Sequence, residues 1–303
     1  MNNTKKQVGI LFAILGASCW GISGVASQYL FHHTAVHPVS LVGLRLFVGG
    51  VLCLLTALTQ SSSRQLVLGI WQQKRTRNRL LLFSLFGFLP SQLSYFLSIS
   101  YGNVATAAAL QFLSPTLTLI FMMIAWHHRP NRLETLAIVI SFSGTILLIT
   151  NGNLSMFVVS IWAIFWGLMS GVGQVAYSLL PKPLLKEYPT SVVVGWGMLL
   201  GSLPLLPASF RDHSFYQLTN WQWANVLFIV IVGTFVACLC YINSLKFLSA
   251  TIAQILGSFE PLTAALFSVL FLGQNLGLVE VLGILLIVSV VLLQKPQRSA
   301  HAS

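Results

Sequence analysis

A glutamate and a proline stand together near the middle of an apolar run, in Gly257-Ser258-Phe259-Glu260-Pro261-Leu262-Thr263. In a membrane a carboxylate resists leaving water, and a proline removes a backbone hydrogen bond, so the pair is costly twice over. Pro261 cannot bond the carbonyl of Gly257, which predicts a bare backbone acceptor one turn from Glu260 on the same side of the helix. Gln111-Phe112-Leu113-Ser114-Pro115-Thr116 repeats the pattern, with Pro115 leaving the carbonyl of Gln111 free. A carboxylate near freed carbonyls is suited to holding a proton or the polar part of a solute. Unpaired, Glu260 would keep a proton, as a proton-coupled carrier requires; paired with a cation it would stay charged. Arg45 is the basic residue deep in an apolar span and matches Glu260 in depth to within roughly 6 Å, at 1.5 Å of rise per residue. It could pair with Glu260 or snorkel to the headgroups.

Other polar groups share helical faces. Ala107, Gln111, Ser114 and Thr118 align by their spacing, as do Ala253, Gly257, Glu260 and Ala264. Small residues there allow close helix packing; Gln111 and Ser114 could hold a ligand, or the hydroxyls could only join helices. Trp20, Trp166, Tyr95 and Tyr241 lie deep in spans, away from the interfaces where such residues collect, and either line a cavity or fill space beside small neighbours. No metal site is expected: His32, His33 and His37 fall in a loop, and adjacent His127 and His128 cannot point the same way on a helix. Glu134 and Glu280 begin their spans and suit helix capping. The four cysteines fall within apolar spans and read as small buried hydrophobes.

The elements that must position these groups are membrane helices. Of 303 residues 56% are hydrophobic and 7% charged, against about 25% charged in soluble domains. At about 20 residues per crossing the chain divides into ten spans, 8–30, 39–59, 80–101, 104–124, 133–150, 158–180, 191–209, 222–245, 249–272 and 277–294. With the N-terminus cytoplasmic, 14 of the 16 basic residues fall in inside segments, Arg211 and Arg45 being the exceptions. The net charge of +11 therefore reflects membrane orientation, and no nucleic-acid partner is expected.

An internal repeat runs through the chain. At an offset of 146 positions Trp20-Gly21 meets Trp166-Gly167, Tyr95 meets Tyr241, Ser98 meets Ser244, Pro115 meets Pro261 and Glu134 meets Glu280. This divides the chain into five-span halves, 1–150 and 151–303. Because five is odd, the halves enter the membrane from opposite sides, an inverted-topology repeat in which a site between them can open to either face. The predicted fold is an all-α integral membrane protein of ten helices.

The runs Leu113-Ser114-Pro115-Thr116-Leu117 and Phe259-Glu260-Pro261-Leu262-Thr263-Ala264-Ala265-Leu266-Phe267, followed by Leu272-Gly273-Gln274 and Glu280-Val281-Leu282-Gly283, resemble the signature of the EamA family of the drug/metabolite transporter superfamily. Ala17-Ser18-Cys19-Trp20-Gly21 and Ile164-Phe165-Trp166-Gly167 resemble its first-span motif and the repeat of that motif. The resemblance implies a ten-span fold with a central cavity and, in most members, export of small metabolites such as amino acids and their derivatives. Gln274 stands where a glutamate often ends the Leu-Gly motif, and His127 or His128 takes that place in the first half.

The leading expectation is a secondary transporter in a bacterial plasma membrane, both termini cytoplasmic, that exports a small metabolite by alternating access, with proton coupling open. No cofactor is expected; the partners are the substrate and the bilayer, and the oligomeric state is unread. A cavity with one carboxylate, an arginine, aromatics and hydroxyls suits a zwitterion or amphipathic cation better than a polyanion. The absence of a Walker-type loop argues against ATP coupling within the chain, and the lack of clustered reactive groups argues against an intramembrane enzyme. A lipid-headgroup flippase and a structural or signalling membrane protein remain as alternatives.

Overall fold

The computed structural model describes residues 3–125, 132–152, 159–248, 252–253 and 256–293. His127, His128 and the side chain of Glu134 lie outside the described residues. The described chain is helical, with no strand among the described residues. In order the principal helices are α1 (Asn3–His33), α2 (Pro38–Thr59), α3 (Ser61–Gly69), α4 (Lys74–Tyr101), α5 (Val104–Gln111), α6 (Ser114–Ala125) and α7 (Arg132–Thr150). After these come α8 (Ile161–Leu179), α9 (Thr190–Ser202), α10 (Leu206–Arg211), α11 (Asn220–Ser244), α12 (Phe259–Leu272) and α13 (Leu278–Leu293).

Among the described residues six stretches are long and apolar enough to cross a membrane: Lys6–His33, Pro38–Thr59, Lys74–Tyr101, Val104–Phe121, Ile161–Leu185 and Asn220–Ser244. Four shorter apolar helices, Thr135–Thr150, Thr190–Ser202, Phe259–Leu272 and Leu278–Val290, occupy the other expected positions. The expected span 191–209 is not one helix, because Pro204 follows a break after Ser202 and α10 starts anew at Leu206. The basic segment 60–78 is not a plain loop. It holds α3, and α4 starts at Lys74, since long basic side chains favour helix and can reach water from its end.

Both prolines break their helices. The chain turns at Phe112 and Leu113 before Pro115, and at Gly257 and Ser258 before Pro261. The carbonyl of Gly257 is not bare, however. It accepts the N–H of Glu260 at 2.9 Å, a three-residue bond that tightens the turn and takes up the acceptor that proline left.

The packing pairs elements of the two halves. α4 packs on α8 and α11 on α1; α5 and α6 pack on α8, and α12 on α1; α2 crosses α9 and α7 crosses α13. Glycines allow the closest crossings: a Cβ on Gly21 would lie 2.5 Å from the carbonyl oxygen of Glu260, and one on Gly167 would lie 2.8 Å from Cβ of Leu110. α4 and α11 each contain a wider, π-helical turn, Phe83–Phe88 and Ile231–Val236, and within these Gly87 meets Tyr177 and Gly233 meets Ser23. Glu280 accepts the N–H of Gly277 at 2.9 Å and so caps α13.

Candidate functional site in the helical core

Glu260, in the first turn of α12, and Arg45, in the middle of α2, line one small cavity with Trp20, Ser23, Gln92, Tyr95, Phe96, Gln111 and Gln174. A second small cavity, lined by Ser114, Tyr241, Phe112 and Gly257, shares Trp20, Gln111, Gln174 and Glu260 with the first. Their volumes are about 10 Å³ and 20 Å³, room for about one water molecule each. In this conformation the site is closed around its own side chains.

Arg45 is 1% exposed, so it does not snorkel; its position on α2 faces α4. Its Nη2 donates to Gln92 Oε1, and its guanidinium carbon lies 4.0 Å from the centre of the Phe96 ring. The bonding continues in one direction: Gln92 Nε2 donates to Ser91 Oγ at 3.3 Å, and Ser91 Oγ donates to Gln174 Oε1 at 3.1 Å. A polar chain therefore links α2 through α4 to α8. Gln111 Nε2 joins it by donating to the carbonyl of Ser91 at 3.2 Å. Arg45 and Glu260 share the cavity without forming an ion pair.

Donors around Glu260 lack partners. Arg45 Nε and Trp20 Nε1 are buried with no hydrogen-bond partner, and the Tyr95 hydroxyl, also buried, faces the Glu260 carboxyl. Each buried, unsatisfied donor costs about 1–3 kcal/mol, a cost that a bound acceptor would relieve. The Trp20 ring lies 4.9 Å from Tyr241 and 6.1 Å from Tyr177, forming an aromatic wall beside the polar groups.

Of the residues singled out from sequence, Glu260, Arg45, Gln111, Ser114, Trp20, Tyr95, Tyr241 and Gly257 come together. Trp166 does not. The buried face of α8 carries Ala163, Gly167, Ser170 and Gln174, which leaves Trp166 half-buried beside Phe165 at a ring separation of 5.0 Å. Thr118 donates back to the carbonyl of Ser114 at 2.8 Å, within its own helix. Gln92, Gln174, Ser23 and Phe96 were not anticipated. Gln174 had a signal, since it follows Gln28 by the same 146 positions as the other repeat pairs.

The EamA-like transporter family model matches the chain twice, over residues 7–150 and 161–294. The chain belongs to the EamA-like transporter family. It is 34% identical over 293 residues to the uncharacterized inner membrane transporter YicL of Salmonella typhimurium, covering 97% of this chain and 96% of that protein. It is 24% identical over 307 residues to the uncharacterized transporter YwfM of Bacillus subtilis, covering 99% and 100%. A crystal structure of a protein at 17% identity has the same fold, with a TM-score of 0.64 over 97% of this chain and 96% of that one. The cavity around Arg45 and Glu260 thus lies in the core of a multi-pass EamA-like membrane transporter.

Proposed function

We propose that this EamA-like protein is a secondary transporter of small zwitterionic metabolites, such as amino acids or their derivatives, held between Arg45 and Glu260. The observation that carries this reading is one buried cation and one buried carboxylate in a single cavity, not paired with each other, with the unpartnered donors Arg45 Nε and Trp20 Nε1 beside them. A substrate carboxylate would accept from Arg45, Trp20 and Tyr95, and a substrate ammonium would donate to Glu260. Trp20 and Tyr241 give its apolar part a wall. Pro115 and Pro261 leave turns on either side that can re-form as the substrate enters.

Alternating access follows from the two halves, 1–150 and 151–303, acting as inverted repeats. The exchange of packing partners supports this: α4 on α8 mirrors α11 on α1, and α5–α6 on α8 mirrors α12 on α1. With the N-terminus cytoplasmic, the end bearing His32 and His33 faces outward, and the basic start of α4 faces the cytoplasm. Around Gln28 and His32 a recess of about 490 Å³ opens at the outer end, whereas Gln174, the counterpart of Gln28, is closed into the core. On this reading the closed core cavity is that of an occluded state and the recess is its outer vestibule. We assign export, in a bacterial plasma membrane, following the family resemblance, with Glu260 as the site of proton coupling.

Counterflow in proteoliposomes tests the reading, with radiolabelled amino acids and amines and with or without an imposed pH gradient. We expect saturable movement of a zwitterion that a gradient accelerates, and Glu260→Gln to remove the gradient's effect. Movement of none of these solutes by folded protein would overturn it.

A further inference from the structure

We propose that the corner formed by α3 and the start of α4 is a binding site for an anionic phospholipid, its phosphate held by Arg75 and Arg79 and its acyl chain laid along Leu82 and Phe86. The segment 61–82 carries Arg64, Lys74, Arg75, Arg77 and Arg79, and the first acidic residue of the chain is Glu134. Among the described residues none of these five side chains forms an ion pair. Four of them are exposed and Arg79 is partly buried. Charges packed nearby do not reverse the sign: the turn Lys182–Leu185 sits on the start of α4, and Lys182 and Lys186 there outnumber Glu187.

Membrane orientation asks only that basic residues lie on one side, wherever they stand. Here their positions are specific. Arg75, Arg79 and Leu82 follow one another at spacings of four and three on one face of α4, and Phe86 comes one turn later. The face therefore runs from guanidinium to hydrocarbon, with Leu82 48% and Phe86 62% exposed. α3 repeats the order: Arg64 and Leu68, four residues apart, face away from the bundle, Leu68 being 70% exposed, while Ser63, Val67 and Ile70 are buried. The corner is fixed in place by the rest of the chain. Trp196 of α9 donates its indole N–H to the carbonyl of Val67 at 2.8 Å and stands edge-on to Trp71 at 5.0 Å, and Thr76 Oγ1 donates to the carbonyl of Ile70 at 2.8 Å. The tryptophan pair sets the corner at the level of the headgroups, where such rings collect. Two guanidiniums a turn apart can each bond phosphate oxygens in pairs, and the cations around them repel the amine that a zwitterionic headgroup adds. With the N-terminus cytoplasmic, the corner meets the inner leaflet, where anionic lipids attract basic segments.

The test uses purified full-length protein, stripped of lipid in detergent and given equal amounts of phosphatidylglycerol and phosphatidylethanolamine with identical chains, the adducts being counted by native mass spectrometry. The expected result is an excess of the glycerol lipid of roughly twentyfold, about fivefold for each of Arg75 and Arg79. Arg75→Gln and Arg79→Gln should each cut that excess about fivefold. Arg132→Gln removes one charge from α7, which packs on α13, and should leave the excess unchanged. Equal binding of the two lipids to the unaltered protein would overturn the proposal. So would Arg75→Gln and Arg79→Gln proteins that behave like Arg132→Gln, since total charge and not position would then decide. Inorganic phosphate that displaces the lipid at equal concentration would also overturn it, because Leu82 and Phe86 would have no part in the site. Arg75 is exposed, so its variant keeps the test decisive where Arg79→Gln fails to fold. The assay reads a ratio within one sample and needs no transport, so its outcome is separate from that of the Arg45–Glu260 reading.

Discussion

Arg45 and Glu260 were visible in the sequence because charge in an apolar span is rare enough to read without a structure. What held Arg45 was not visible. Gln92 and Phe96 reach it through the rotation of α4 against α2, which no local pattern encodes, whereas Gln174 could have been found by carrying the repeat register to Gln28. A different residue, Asp212, is placed by its hydrogen bonds to make the loops it joins pH-sensitive. Its carboxylate accepts the backbone N–H groups of His37 at 3.2 Å and Ser214 at 3.0 Å and so ties two loops together. Burial pushes its pKa up, but the hydrogen bonds, from Ser214 foremost, outweigh that and leave it below the usual carboxylate value. A lowered folded-state pKa contributes stability above the unfolded value that is lost as pH falls through the folded one. Hydrogen exchange at His37 and Ser214 should therefore be slow at neutral pH and quicken on acidification below the ordinary carboxylate range. Asp212→Asn should remove that dependence; equal exchange at both pH values in the unaltered protein would count against the tie.

At the scale of elements, most of the apolar helices and both proline breaks followed from residue type and spacing. The tightening at Gly257 did not, because a proline fixes which bond is lost and not which replaces it. The different fates of Trp20 and Trp166 were equally hidden. Both precede a glycine that admits a neighbouring helix, but α8 turns its glycine and glutamine face inward and leaves Trp166 at the side. Gly21 is one of the contacts most sensitive to change, since a side chain there meets the backbone of Glu260 and Ala264 at 2.5 Å and 2.9 Å. Gly21→Leu should force α1 from α12, with a stability loss of about 1–3 kcal/mol for overpacking and a fall in transport larger than Gly69→Ala produces. Gly69 is the control because an added Cβ there meets only a Leu66 methyl at 4.0 Å. Thermal unfolding in detergent and counterflow give the two readouts; a Gly21→Leu protein with unaltered melting and transport would contradict the packing argument.

For the whole molecule, the proposed repeat rests on a register of unlike residues, Trp-Gly, Tyr, Pro and Glu, held over a constant offset. Which end of the bundle carries the open recess was not legible, because no local pattern encodes it. His32 is exposed at the recess, and its counterpart 146 positions later, Ser178, is fully buried. In a cysteine-free background, His32→Cys should react rapidly with a membrane-impermeant thiol reagent and Ser178→Cys slowly. A transported solute should shift the two rates in opposite directions. Rates that never change in opposition would remove alternating exposure from the account.

The central claim is that Arg45 holds the carboxylate end of the substrate and Glu260 its ammonium end. The most direct measurement compares competition in the transport assay by an amino-acid substrate, its decarboxylated amine and its deaminated acid, for the unaltered protein, Arg45→Gln and Glu260→Gln. The account predicts that Arg45→Gln weakens the amino acid to the level of the amine, and that Glu260→Gln weakens it to the level of the acid. Each step should be roughly ten- to hundredfold, as expected for one hydrogen bond to a charged group. Variants that fold but weaken all three compounds equally, or that keep the full preference for the amino acid, would contradict it.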